Sequence, residues 1–214
     1  IRVHFPTWPP CVVVGHTIDE TWFADPDRID AKHWGKSIVF IGRMVAEKGV
    51  DNLLLLACAL PSYHFHFVGT GPMERAVLDS GLSNVICHGY VEHQQTMIDL
   101  LDECDIVVQP SRQSGAWVEA FGLGVLEAMA RGLIPVTTDS PGSLAVLGPE
   151  LAFLACQVED YQEHFLRTVA SLDRQQATTL RRRCLARAEQ FAPKLVTDRW
   201  EAFFFDTGLF RDLD

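Results

Sequence analysis

Short apolar runs alternate along the chain with longer mixed segments, and each kind predicts its own element. The apolar runs near Val12–Val14, Ser37–Ile41, Tyr63–Val68, Val85–His88, Asp105–Gln109, Ile134–Thr137 and Leu151–Leu154 read as strands. The segments near Val50–Leu60, Met73–Asp79, His93–Glu103 and Gly124–Ala130 read as helices between them. Beyond Val158 the pattern turns helical, with helices expected over Val158–Leu172, Arg174–Phe191 and Thr197–Phe205. Strands alternating with helices predict βαβ units with right-handed crossovers. The fold class is therefore α/β, a parallel sheet with helices on both faces and a helical C-terminal tail.

In an open parallel sheet, ligands bind beyond the carboxyl ends of the strands. Four predicted strands run straight into turns: Gly42-Arg43, Gly69-Thr70-Gly71-Pro72, Gly89-Tyr90-Val91 and Pro110-Ser111. Arg43 and Lys48 lie in the first of these connections, where a guanidinium fork and an ammonium could neutralise a diphosphate. Further on comes Glu119-Ala-Phe-Gly-Leu-Gly-Val-Leu-Glu127, two carboxylates spaced E-x7-E around a glycine turn. A helix starting just after Phe121, Gly122 and Leu123 would point its amides at an anion. Ionised carboxylates beside it suit the hydroxyls of a sugar, because they only accept hydrogen bonds. The bland alternatives are a solvated cation pair, a surface glutamate at 127 and a simple tight turn at Gly69–Pro72.

In this order, Gly42-Arg43 with Glu47-Lys48-Gly49, Val68-Gly69-Thr70-Gly71-Pro72, His88-Gly89-Tyr90-Val91, Gln109-Pro110-Ser111 and the E-x7-E block resemble the donor-binding half of the retaining GT-B glycosyltransferases. Ile18-Asp19 with Phe23 and Pro26, and the closing Phe191-Ala192-Pro193 and Trp200-Glu201, extend the likeness over nearly the whole chain. The resemblance implies a Rossmann-like nucleotide-sugar-binding domain over residues 1–214, with a core at about 12–190 and a crossing helix at about 193–206. It implies a nucleoside-diphosphate sugar as donor substrate, no cofactor and no metal. Arg43 and Lys48 would hold the diphosphate with the amides of Phe121, Gly122 and Leu123. Glu119 would face the transferred sugar and Glu127 the ribose hydroxyls. Gly42, Gly69, Thr70 and Gly71 would border the ligand, and Tyr90 and Val91 would meet the base through main-chain groups. The partner implied is an N-terminal acceptor domain outside this chain, in cis or in trans, through which any membrane association would run. The chain alone is expected to bind donor nucleotide weakly and to catalyse little, since half an entropy trap does not orient two substrates.

The likeness breaks in two places. The segment Arg112–Val118 is long, and Ser140-Pro141-Gly142-Ser143-Leu144 stands where relatives often carry paired glycines and a glutamate. Two other classes remain open on the residues alone: a sugar-nucleotide epimerase or phosphorylase on the same architecture, and a non-catalytic nucleotide-binding subunit. A phosphorylase needs a lysine for a pyridoxal cofactor, and the lysines are Lys32, Lys36, Lys48 and Lys194.

Composition narrows the field further. With 214 residues and 48% hydrophobic content the chain can bury a substantial core. A net charge of -10 argues against nucleic-acid binding. No apolar run reaches the roughly 20 residues of a membrane span. Cys11, Cys58, Cys87, Cys104, Cys156 and Cys184 are scattered without a CxxC pair, as buried free thiols of a cytosolic protein would be. The histidines show no ligand spacing, and His64 and His66 alternate with Phe65 and Phe67, which places them on the opposite strand face. Arg181-Arg182-Arg183 with Arg187 reads as a charged helix face.

Overall fold

The computed structural model describes residues 16–113 and 118–207. The strand expected at Val12–Val14 lies outside them. Contacts divide the chain into two units, residues 21–189 and, separately, residues 1–20 with 190–214.

In the larger unit, helix α1 (Pro26–Ala31) precedes strand β1 (Ser37–Ile41), followed by α2 (Val50–Ala59), β2 (His64–Val68), α3 (Glu74–Leu78) and β3 (Val85–Gly89). Then come α4 (Gln94–Glu103), β4 (Ile106–Gln109), α5 (Leu123–Ala130), β5 (Ile134–Thr138), α6 (Pro141–Leu151) and β6 (Ala155–Cys156). Helices α7 (Tyr161–Phe165) and α8 (Arg174–Ala188) complete the unit, with a π-helical stretch at Leu166–Ala170 between them. The six strands are ordered β3-β2-β1-β4-β5-β6 and all pairs are parallel. This is the Rossmann-like sheet, in which strand order reverses between β1 and β4.

Alternation along the strands builds the core. Ile38, Phe40, Phe65, Phe67, Ile106, Val108 and Val136 share one buried cluster with Val50, Leu53 and Leu56 of α2 and Tyr161 and Phe165 of α7. Val39 and Val107, equally buried, point to the other face, and α5 and α8 pack on β4 and β5. β4 and β5 are buried along their whole length, as parallel strands covered on both faces must be. Pro135 is tolerated inside β5 because β6 pairs only with Thr137 and Thr138, so its missing N–H interrupts no ladder there. His64 and His66 do lie on the face opposite Phe65 and Phe67. His66 Nδ1 is 3.0 Å from His88 Nε2, and burial beside that second ring draws His66 down to about 4. Among the described residues no metal-holding group of His, Cys, Asp or Glu occurs.

Three expectations are corrected. The last strand is Ala155–Cys156, because Leu151 ends α6 and Ala152–Leu154 form a 3-10 turn. Helix α6 was hidden by Pro141, Gly142, Gly148 and Pro149; it starts on a Ser140 cap and breaks at Gly148, where φ is 65°. The cysteines among the described residues are free, but Cys58 is exposed, whereas Cys104 and Cys184 are buried and burial pushes both thiols up to about 12.

The arginine run of α8 is no open basic patch. Arg181 is fully buried and pairs with Asp105 at the head of β4. Asp105 Oδ2 also accepts the N–H groups of Gly35 and Ser37, at 3.0 and 2.9 Å, which fixes the start of β1 beside β4. Trp34 lies over the guanidinium at 5.1 Å. Arg182 pairs with Asp30, and Arg183 and Arg187 hold the carbonyls of Glu150, Val146 and Ala145. Lys32 donates to the carbonyls of Leu101 and Cys104, capping α4, and burial with Arg181 nearby lowers it to about 8.

In the smaller unit, α9 (Pro193–Thr207) begins earlier than the expected Thr197. Ile18 N–H and Thr17 Oγ1 both donate to the carbonyl of Phe191. Trp200 stacks on Phe204 at 5.7 Å and remains 44% exposed. No helix among the described residues is long and apolar enough to cross a membrane.

Removing Arg181 strands a buried carboxylate. Arg181→Ala is expected to lose about 3–5 kcal/mol of stability in urea unfolding, and Asp105→Asn with Arg181→Met to recover most of it. A loss below about 1 kcal/mol for the single variant would show that Asp105 is satisfied without the arginine.

Candidate functional site

The connection after β1 runs from Gly42 through a 3-10 turn at Ala46–Lys48 to Gly49, which adopts φ 71° before α2 begins. A Cβ on Gly49 would sit 2.2 Å from the carbonyl oxygen of Pro110, so only glycine lets this turn meet the end of β4. Arg112 N–H donates to Glu47 O at 2.7 Å, and its guanidinium binds Asp51 and Asn52 at 2.8 and 2.7 Å. The two loops that flank the strand-order reversal are thereby clamped together.

Their clamping brings Lys48 onto Glu119. Oε2 of Glu119 accepts Lys48 Nζ, Gln109 Nε2 at 3.0 Å and Ser111 Oγ at 3.3 Å. Glu119 is 9% exposed, so burial strengthens the pair and makes either group costly to leave alone. Gln109 was not expected as a site residue. The signal existed: a glutamine closing the wholly buried strand Ile-Val-Val-Gln needs a polar partner. The orientation of its amide follows from chemistry, since an oxygen turned to the carboxylate would be repelled. Its Oε1 is buried and has no hydrogen-bond partner among the described residues, and a Cβ on Gly122 would lie 3.1 Å from it.

Helix α5 starts from Gly122, at φ 80°, and has no side-chain cap. The amides at Phe121, Gly122 and Leu123 thus stand at a helix end suited to an anion. The preceding backbone is held by α6: Gly142 N–H donates to Glu119 O at 3.2 Å, and a Cβ on Gly142 would come within 2.4 Å of Phe121 N. The departure at Ser140–Leu144 therefore supplies the one residue this packing tolerates.

Two cavities open along the same rim. One of about 350 Å³ is lined by Gly42, Arg43, Gly69, Thr70, Tyr90 and Val91, all singled out from the sequence, and by Ile41, Val68 and Met97, which were not. Arg43 is exposed there and makes no ion pair among the described residues. The other, about 450 Å³, lies beside Glu119 and is lined by Ser111, Arg112, Thr138, Asp139, Gln157 and Glu159 among others. Trp117 lies outside the described residues. A Cβ on Gly69 would fall 2.0 Å from Gly42 O and one on Gly71 2.5 Å from Met44 O, so both positions need glycine for the turn to pack. Met44 N–H donates to Thr70 O at 2.8 Å and seals that contact.

Glu127 stands in the second turn of α5, half-buried between the fully buried Leu126 and Ala128. Burial raises its carboxyl to about 7.

The loops on either side of the strand-order reversal thus bring a cation and a carboxylate together where such sheets bind ligands. Residues 35–173, more than half of the chain, match the family described as Glycosyl transferases group 1, and the chain belongs to that family. A GDP-mannose:cellobiosyl-diphosphopolyprenol alpha-mannosyltransferase of Xanthomonas campestris is 28% identical over 117 residues, covering 50% of this chain and 30% of that protein. The chain thus spans about 30% of the length of the curated relatives it matches. Among solved structures, sucrose-phosphate synthase from Thermosynechococcus elongatus superposes with a TM-score of 0.70 at 18% identity, over 91% of this chain and 52% of that one. The Anabaena HepE protein, in complex with UDP and glucose, gives 0.66 at 18% identity, over 90% and 56%. These likenesses fix the fold as that of a GT-B half.

Glu127 supplies a pH test of the site. Its folded pKa lies above the ordinary 4.5, so the unfolded chain ionises first and stability falls as pH rises between about 4.5 and 7. Glu127→Gln is expected to raise stability at about pH 8, by at most about 3 kcal/mol, and to change little at about pH 4. Equal shifts at both values would show that burial does not perturb this carboxyl.

Proposed function

We propose that this chain is the donor half of a retaining, metal-independent glycosyltransferase, binding a nucleoside-diphosphate sugar for transfer to an acceptor hydroxyl. The single observation that carries the reading is the meeting of Lys48 and Glu119 at the reversal of strand order. A phosphate-seeking cation and a hydroxyl-seeking carboxylate there divide one ligand between them, diphosphate on one side and sugar on the other.

The chemistry that follows is leaving-group stabilisation. The bond between the anomeric carbon and the phosphate oxygen breaks, its electrons pass to the diphosphate, and a bond to the acceptor oxygen forms as the hydroxyl proton passes to a diphosphate oxygen. Arg43, Lys48 and the amides at the start of α5 oppose the charge growing on the diphosphate. Glu119, held in place by its donors, faces the sugar as positive character develops on the ring. Glu127 accepts from the ribose hydroxyls, which favours its charged form and offsets the burial that raises its pKa. The acceptor would bind on an N-terminal domain in cis or in trans, and this chain alone would turn over little.

Titration calorimetry with UDP, GDP and ADP is expected to show one of them binding selectively. Arg43→Ala with Lys48→Ala should weaken that binding by about 100-fold, since each charged hydrogen bond contributes about 1.5–3 kcal/mol. Equal affinity in wild type and double variant would rule out these cations as the diphosphate site.

A further inference from the structure

Strand β4 ends in a side chain that the sheet itself does not need. Ile106, Val107 and Val108 are apolar and buried, and Gln109 follows them into the same enclosure, 5% exposed. Its Nε2 donates to Glu119 Oε2 at 3.0 Å, but its Oε1 has no hydrogen-bond partner among the described residues. Thr137, its register partner on β5, is fully buried, and its Oγ1 has no partner among them either. Among the described residues the amide is therefore held at one end only, by the carboxylate. A buried amide oxygen without a donor costs stability, and a leucine there would fill the space without stranding an oxygen. What explains the glutamine is its N–H end, and that end serves Glu119.

The three donors on Glu119 Oε2 are of two kinds. Lys48 is charged and reaches across from the loop after β1. Gln109 and Ser111 are neutral and stand at and just past the end of β4, on the same side of the reversal as Glu119. A diphosphate arriving at Lys48 draws on the cation that Glu119 holds. A buried carboxylate whose cation is shared must keep its hydrogen bonds or swing toward another charge. Ser111 Oγ is the longer contact, at 3.3 Å from a hydroxyl that rotates, whereas Gln109 donates at 3.0 Å from a residue fixed in the strand. Being neutral, the amide restrains the carboxylate without competing for the diphosphate.

We propose that Gln109 is a positioning residue, which holds the Glu119 carboxylate toward the glycosyl group while the donor's diphosphate engages Lys48. The role rests on the nucleotide-sugar reading above and adds to it a residue that acts only through Glu119. Two ligands separate the effects. A nucleoside diphosphate carries no glycosyl group and gains nothing from a correctly held Glu119, whereas a nucleoside-diphosphate sugar does. The quantity that reports on Gln109 is therefore the ratio of the two affinities. Contributions from the base, the ribose and the titration of Glu127 are common to both ligands and cancel in it.

The test titrates UDP with UDP-glucose, GDP with GDP-mannose and ADP with ADP-glucose into wild type, Gln109→Leu and Gln109→Glu, with circular dichroism melting to confirm that each variant folds. For the pair that binds, Gln109→Leu is expected to weaken the sugar nucleotide about tenfold more than the diphosphate, while melting at or near the wild-type temperature. Gln109→Glu is expected to show the same deficit at about pH 8, where an ionised carboxyl cannot donate and repels Glu119. The deficit should shrink at about pH 5, where the two carboxyls share a proton, and the wild-type ratio should be the same at both values. A ratio left unchanged by Gln109→Leu overturns the inference, and so does a Gln109→Glu ratio that does not vary with pH. Equal weakening of both ligands with a lowered melting temperature also overturns it, since that is what a merely structural residue gives. If wild type binds none of the diphosphates or none of their sugars, the nucleotide-sugar reading itself fails, and that is seen before any variant is made.

Discussion

Where strand order reverses between β1 and β4, the chain leaving each strand turns away from the other, and a crevice opens that no side chain of the sheet fills. Much of the larger unit serves to hold those two strands and their loops in register. At the amino ends Asp105 binds the N–H groups of Gly35 and Ser37 and is neutralised by the buried Arg181. At the carboxyl ends Gly49 lies against Pro110, and Arg112 ties back to Glu47 and Asp51. Fastened at both ends, the pair can carry Lys48 on one loop and Glu119 on the other without either wandering.

The electrostatics of the rim follow from that fastening. Three donors converge on one oxygen of the buried Glu119 carboxylate and fix its position between the two loops. Glu127, on α5 itself, is half-buried, and that burial pushes it up to about 7. Two glutamates of one motif therefore sit in different surroundings, one met by three donors and the other between apolar neighbours.

Much of this was legible in the sequence, and what was not has a physical reason. The strands β1 to β5 and the helices α2 to α5 declare themselves through local alternation, which depends only on which face of an element is buried. Gly42, Gly69 and Tyr90 were legible because each comes just after a strand end, and Glu119 through its E-x7-E spacing around a glycine turn. Arg181 was misread as part of a solvated face, since its partner Asp105 is remote in sequence and no local pattern reveals a long-range ion pair. Helix α6 was lost behind its prolines and glycines, although Ser140 was present as a cap. Met97 and Gln109 needed the fold to be assembled before a cavity wall or a buried donor could be recognised.

The central claim is that the Lys48–Glu119 pair is a ligand site and not merely a clasp, and Glu119→Gln probes it directly. If a diphosphate competes for Lys48, removing the neighbouring negative charge should strengthen binding of the nucleoside diphosphate by about tenfold, a modest share of a like-charge repulsion at close range. Calorimetry on wild type and Glu119→Gln with the same nucleotide reads this. A rise in affinity is the expected result. A fall, or no change accompanied by lower stability, would mean that the pair only fastens the two loops.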